Sequence, residues 1–198
     1  MTLTDRVRAI CVSPTTEWPV IAGERGDSTE LVAGYLAPLA AVGAVAGFIG
    51  SLVFRSLMPS GALVGGLRSG VIGACLSFAM AIAGCGFIAF TINALAPAFG
   101  GRPDFTRAFR TSVYAYTPGL VAGVLQIFPV LGFVMTFIAS IYGIYLLYLG
   151  LPVMMQAPKD KTPVYTLLVV AAGVLAMVAI TFALGVVGLA GTLGSTGL

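Results

Sequence analysis

From Thr111 to Pro158 the chain carries no charged side chain. A helix rises about 1.5 Å per residue and the hydrocarbon core of a bilayer is about 30 Å thick, so this run is roughly twice the length of one crossing. Its one strong break is Ile127-Phe128-Pro129-Val130-Leu131-Gly132, where proline and glycine interrupt an otherwise helical pattern. The run therefore reads as two membrane helices joined by a tight apolar turn. It is entered from a basic segment, Gly101 to Arg110, that belongs in water.

Composition extends that reading to the whole chain. Of 198 residues, 59% are hydrophobic and 9% charged, against about 25% charged in soluble domains, which need a solvated shell. Lipid must solvate most of this surface, and the fold class is an all-α integral membrane protein. Histidine is absent, and carboxylates are confined to the N-terminal segment and two loops. Metal sites and acid–base schemes thereby lose their raw material, so no metal and no cofactor is expected. Ten scattered basic residues build no continuous phosphate track, which argues against a nucleic-acid partner. Cys11, Cys75 and Cys85 are odd in number and form no C-x-x-C, so they read as small packing residues.

Residues 1–30 form a short amphipathic segment. Val7, Ile10 and Cys11 recur at helical spacing opposite Asp5, Arg6 and Arg8, which predicts a helix lying at the membrane interface. Ser13-Pro14 reads as an N-cap and first helical residue, and Trp18 is expected at headgroup level. No cleavable signal peptide is expected, because Glu17, Glu24, Asp27 and Glu30 intervene before an apolar core. Residues 31–190 then read as a single domain of five transmembrane helices, over about 31–54, 71–95, 111–126, 130–151 and 164–190, with a short tail at 191–198. Asp104 is placed to cap a short helix ahead of the third span. The alternative is that the third and fourth segments form a re-entrant hairpin, leaving three full crossings.

Basic residues near span ends set orientation. With the N-terminus inside, Arg6, Arg8, Arg25, Arg102, Arg107, Arg110, Lys159 and Lys161 lie on the inner side, and only Arg55 and Arg68 lie outside. The N-terminus is expected in the cytoplasm and the C-terminus opposite. A re-entrant hairpin has both ends inside and leaves this count unchanged.

The order of motifs resembles the Yip family of membrane proteins, the Ypt/Rab-interacting proteins and their bacterial relatives. The resemblance is carried by Tyr114-Ala115-Tyr116-Thr117-Pro118, by the turn around Pro129 and Gly132, and by the tyrosine-rich Tyr145-Leu146-Leu147-Tyr148-Leu149-Gly150-Leu151-Pro152. Arg8-x-x-Cys11-x-Ser13-Pro14-x-x-x-Glu17-Trp18 is similar to the lead-in of bacterial members. The resemblance implies five helices, a cytosolic N-terminus and a non-enzymatic role. Eukaryotic members act in vesicle trafficking through prenylated GTPases. Here the extension before the first span is short, and an acidic D-L-x-G-P element survives only as Glu30-Leu31-Val32-Ala33-Gly34. Both departures point away from GTPase binding and toward a bacterial inner (cytoplasmic) membrane.

Three groups of residues are candidate sites. Arg102, Arg107 and Arg110, with Asp104 and Tyr114, form either ordinary juxtamembrane anchors or a specific site for an anionic lipid or phosphate. Tyr142, Tyr145 and Tyr148 share a stripe at i, i+3, i+6, which suits packing and an interfacial belt. Together with Tyr116, Pro118, Gln126 and Asn93 they would instead line a polar groove. Pro118 is expected near the start of its span, where a proline costs little. The pairs Gly43/Gly47 and Gly119/Gly123, with Gly185/Gly188/Gly191, predict close helix approach, within one subunit or across a homodimer.

No nucleophile elbow, zinc-protease helix or P-loop pattern is present, and no carboxylate falls within a predicted span. Proton-coupled transport loses its relay for the same reason. Two classes remain: a membrane-organising protein that binds lipid or a membrane partner, or a small-solute channel lined by Gly, Tyr, Ser and Thr.

Overall fold

The computed structural model describes residues 2–24, 26–56 and 66–195, with the backbone alone for Arg55, Ser56, Gly66 and 184–195. Arg25 and the Met58–Gly61 loop lie outside the described residues, and Gly185, Gly188 and Gly191 lie where only backbone is described. Every regular element among the described residues is helical. Two short helices, α1 (Leu3–Val12) and α2 (Pro14–Gly23), precede α3 (Ser28–Leu31). A π turn over Val32–Leu36 leads into α4 (Ala37–Ser56). Then follow α5 (Gly66–Leu95), α6 (Phe105–Ala122), α7 (Pro129–Met154) and α8 (Thr162–Ser195). Segments of 3-10 helix cover Ala96–Phe99 and Gly123–Ile127.

Four stretches are long and apolar enough to cross a membrane: Ser28–Phe54, Leu67–Phe99, Pro129–Met154 and Thr162–Ala183. Helix α6 is not among them. It carries Arg107, Arg110 and a run of hydroxyls, yet it is the most enclosed helix of the chain: every side chain from Ala108 to Ala115 is buried. A helix covered over most of its surface, with Phe105, Tyr116 and Val121 its exposed large side chains, needs little lipid-compatible face. With its 3-10 extension it runs about 37 Å, taking 1.5 Å per α-helical and 2.0 Å per 3-10 residue, as long as the membrane core is thick.

The start of α6 differs from expectation. Asp104 does act as N-cap, its carboxylate accepting from the Arg107 N–H at 3.1 Å, but the helix it opens runs unbroken into the third segment. Pro118 is therefore internal rather than near a first turn. Its missing N–H leaves the Tyr114 carbonyl without a helical partner. Similarly α7 continues through Pro152 to Met154. At the other short cap, Ser13 occupies the position ahead of Pro14, but its side chain makes no capping bond.

Apolar burial gains little when lipid is the solvent, so helices associate by close backbone approach. Gly132 lies against Gln126 and Gly143 against the Ala115 carbonyl, so α6 and α7 descend in step. Gly43 meets the Cα of Gly123, and Gly47 meets the Gln126 side chain. At Gly50 a Cβ would sit 1.9 Å from the Gln126 carbonyl oxygen, so only glycine fits there. Gly119 has open space where a Cβ would be.

Gly50→Ala is expected to force α4 off the 3-10 segment and destabilise the protein by about 1–3 kcal/mol, the usual cost of overpacking. Gly119→Ala should be neutral or gain up to about 1 kcal/mol of helix propensity. Thermal unfolding of both variants in the same detergent checks the contrast.

Candidate functional site

The charged residues gather where α1, α2 and α3 meet the start of α6. Helix α1 begins with Thr2 as N-cap: its Oγ1 accepts from the Asp5 N–H at 3.2 Å, while its own N–H and O–H donate to the Asp5 carboxylate. Those bonds, the hydroxyl's first, hold the Asp5 carboxyl below its ordinary range. One face of α1 then presents Arg6 inward. It is buried, and its guanidinium donates to both Glu17 and Glu24. Its Cζ lies 5.8 Å from the centroid of the Tyr114 ring. Burial opposes the Arg6 charge, but the Glu24 hydrogen bond and the fields of Tyr114, Glu24 and Glu17 outweigh it and raise its pKa.

Arg110 completes the node from α6. Its guanidinium donates to the carbonyls of Glu24 at 2.6 Å and Gly26 at 2.5 Å, capping the chain as it leaves α2. Arg6 thus meets two carboxylates and Arg110 meets two backbone carbonyls, so each enclosed guanidinium has acceptors.

An aromatic cluster lies beside the charges. Trp18 is 1% exposed, edge-on to Tyr114 at 6.5 Å, and Tyr114 is edge-on to Tyr35 at 5.2 Å. Tyr35, on the π turn, shares a 2.9 Å hydrogen bond with Thr117, both buried. The indole seats in a notch at Gly150, where a Cβ would come within 2.7 Å of the ring. The Trp18 N–H itself makes no hydrogen bond. Trp18 is thus enclosed by protein, because Gly150, near the end of α7, leaves room for a ring that packing alone retains.

The expected trio of arginines is divided. Arg110 is engaged inside, whereas Arg107 pairs with Asp104 at 3.5 Å and is half exposed. Arg102 is exposed, and its N–H donates to the Met155 carbonyl at 2.8 Å. That bond lays the 101–104 loop beside the loop that carries Lys159 and Lys161. Tyr114, buried under Arg6, joins the charge node rather than this outer face.

The residues considered for a polar groove point in several directions. Tyr142 donates to the Cys11 carbonyl at 2.9 Å, tying α7 to α1, and its ring lies 5.8 Å from that of Tyr145. Tyr145 and Tyr148 are exposed on the outside of α7. Tyr116 is exposed beside Cys85 of α5, Pro118 is buried, and Gln126 packs on the glycine face of α4. Within the candidate spans several hydroxyls turn back onto carbonyls: Ser77 to Ala74, Thr91 to Phe87, Ser140 to Phe137, Thr166 to Thr162 and Thr181 to Met177, whereas the Thr136 hydroxyl and the Asn93 side-chain oxygen are buried without a hydrogen bond. Ser112 donates across to the Cys85 carbonyl at 2.8 Å.

A family model for the Yip1 domain matches residues 8–180. The chain belongs to the Yip1 domain family. No curated protein and no solved structure matches it. Proteins with this domain are membrane proteins not known as enzymes. The matched region takes in Glu17, Glu24, Tyr35, Arg110, Tyr114 and Gly150, so most of the node lies inside the Yip1 domain, with Arg6 just ahead of it.

Periodicity missed Arg6, Glu17 and Glu24 as partners, because it placed Arg6 on the wet side of α1. A signal was present: Glu17 and Glu24 are seven residues apart, two helical turns, and so lie on one face. The seat of Trp18 at Gly150 had no local signal.

Removing one partner from an enclosed ion pair leaves the other unpaired, at a cost of about 3–5 kcal/mol. Arg6→Ala should therefore loosen α1 and α2 and shift the emission of Trp18, the sole tryptophan, to the red. Arg8→Ala, at an exposed position, should leave the spectrum unchanged. Intrinsic fluorescence in proteoliposomes reads both.

Proposed function

We propose that this Yip1-domain chain is a non-enzymatic protein of a bacterial inner membrane that organises the bilayer or holds a membrane partner. In this reading all five long helices, α4 to α8, lie in the membrane, with α6 at their centre and α1–α2 on the cytoplasmic side. The gathering of Arg6, Arg102, Arg107 and Arg110 at one end, with Arg55 and Arg68 toward the other, supports that orientation. The degenerate Glu30-Leu31-Val32-Ala33-Gly34 element supports a bacterial rather than a GTPase-binding member.

One observation carries the functional reading: the charged groups described in the interior are consumed by the fold, and the buried polar atoms left without a hydrogen bond, at Trp18, Asn93 and Thr136, are neutral and scattered over three helices. Arg6, Glu17, Glu24 and Arg110 satisfy one another and the local backbone, and several span hydroxyls bond their own helices. Such an interior offers a substrate no positioned acid, base or nucleophile, and a hydrated solute no lining. What is left for interaction is the outside: broad apolar faces, and a basic rim of Arg102, Arg107, Lys159 and Lys161 suited to anionic headgroups. Arg110 takes no part in that rim.

Purification in a mild detergent, with identification of retained lipid and protein, tests the proposal. Anionic phospholipid should be enriched, and each of Arg102→Ala and Arg107→Ala should weaken its retention about fivefold, at about 1 kcal/mol per basic residue. An unchanged lipid profile would remove the basic rim as a lipid contact. Glycerol or urea flux in proteoliposomes above the protein-free rate would replace the proposal with a facilitator.

A further inference from the structure

Among the described residues only two have a positive φ, Gly100 at 75° and Gln156 at 54°. They stand in different connections, Gly100 after the 3-10 turn that ends α5 and Gln156 after α7, and these two connections lie against each other. Glycine enters the left-handed region freely at a helix end. A glutamine does so at a cost, and stays there only where the surrounding structure fixes it.

The backbone builds the contact. The Arg102 N–H donates to the Met155 carbonyl at 2.8 Å, and the Gly101 N–H donates to the Ala96 carbonyl at 2.8 Å. A Cβ on Gly101 would lie 2.9 Å from the Met155 oxygen and 3.3 Å from the Ala96 oxygen, so glycine is what lets the two loops close. Gly100 rests beside the Pro158 ring, where a Cβ would come within 3.5 Å. Pro158 in turn anchors the turn that carries Lys159, Asp160 and Lys161: its carbonyl accepts from the Lys161 N–H at 3.2 Å and from the Thr162 hydroxyl at 3.0 Å.

What this junction gathers is positive charge. Arg102, Lys159 and Lys161 are exposed, and none has an ion pair among the described residues. Asp160 is the one carboxylate on the two loops outside the Arg107–Asp104 pair, which leaves an excess of two positive charges. Exposed apolar side chains border the cations: Phe105 lies three residues beyond Arg102, and Val164 and Leu167 lie on the first turns of α8. Cations beside exposed apolar side chains suit an amphiphile better than a soluble anion.

We propose that the junction of the α5–α6 and α7–α8 connections is a discrete site for a phospholipid whose headgroup carries two phosphates, with Arg102 as a planar fork and Lys159 and Lys161 as point charges for the phosphate oxygens. The site rests on the reading of the basic rim as a lipid contact and goes further. A diffuse rim responds to the number of charges, whereas a site depends also on where they are held.

The test offers the full chain, purified in detergent, cardiolipin and phosphatidylglycerol at equal phosphate, with bound lipid read by native mass spectrometry. Cardiolipin should be favoured about fivefold, the effect of one further contact between a phosphate and a basic side chain. Lys159→Ala should bring the preference close to unity. So should Gly101→Val, which removes no charge but parts the loops. Arg8→Ala, which removes an exposed cation from α1, should leave the preference intact. A preference that survives Lys159→Ala or Gly101→Val, or that falls equally with Arg8→Ala, would overturn the site. Retention of both lipids without preference would overturn it too and leave the anionic-lipid reading of the rim standing, whereas retention of neither would remove that reading as well. Inorganic pyrophosphate should not displace the lipid; displacement would make the ligand a soluble anion and overturn the assignment.

Discussion

Helix α6 brings Arg110, several hydroxyls and an internal proline into the interior of the helix bundle, and the rest of the fold is arranged to cover it. A buried charge left unmet costs several kcal/mol, and an unmet backbone group comparably. The chain meets the demand by wrapping α6 with α1, α3, α4, α5 and α7. Ser112 then finds the Cys85 carbonyl, Thr117 finds Tyr35, and Arg110 finds the backbone of Glu24 and Gly26. The N-terminal helices are thereby structural. They carry the carboxylates that let Arg6 lie under the aromatic cluster, and the ring that fills the notch at Gly150.

Glycine supplies the second half of the arrangement. Lipid provides little drive for helices to associate, so stability depends on how near backbones come. The α4 face of Gly43, Gly47 and Gly50 accepts the 3-10 segment, and α7 accepts α6 through Gly132 and Gly143. The same close approach that holds the bundle together also covers the carbonyls of the α6–α7 turn.

The membrane class, the positions of α4, α5, α7 and α8, the Asp104 cap and the family resemblance were legible in the sequence, because each rests on local pattern: apolar run length, capping chemistry or motif order. Helix α6 was legible as a helix but misjudged at its start, since charged residues were taken to lie outside a span and here Arg107 and Arg110 belong to the same helix, which is buried over most of its surface. The roles of Arg6 and Trp18 were not legible. Whether an arginine on an amphipathic helix faces water or a carboxylate depends on which element docks there, and that is decided by Glu17, Glu24 and Gly150, up to well over a hundred residues away. A tryptophan near a membrane surface ordinarily sits among headgroups. Here a single missing Cβ on α7 lets protein enclose the ring.

The carboxylates make the same case from the other side. The chain has seven, at Asp5, Glu17, Glu24, Asp27, Glu30, Asp104 and Asp160. Asp5 and Asp104 cap helix starts, and Glu17 and Glu24 neutralise Arg6. Each of these four spends its charge on a backbone N–H or a guanidinium that would otherwise be stranded, and a carboxylate so engaged is a poor general base because its lone pairs and its charge are already committed. More than half of the acidic side chains are thus committed to holding helices in place, so the charge that the sequence places near the N-terminus and the start of α6 serves the fold before anything else.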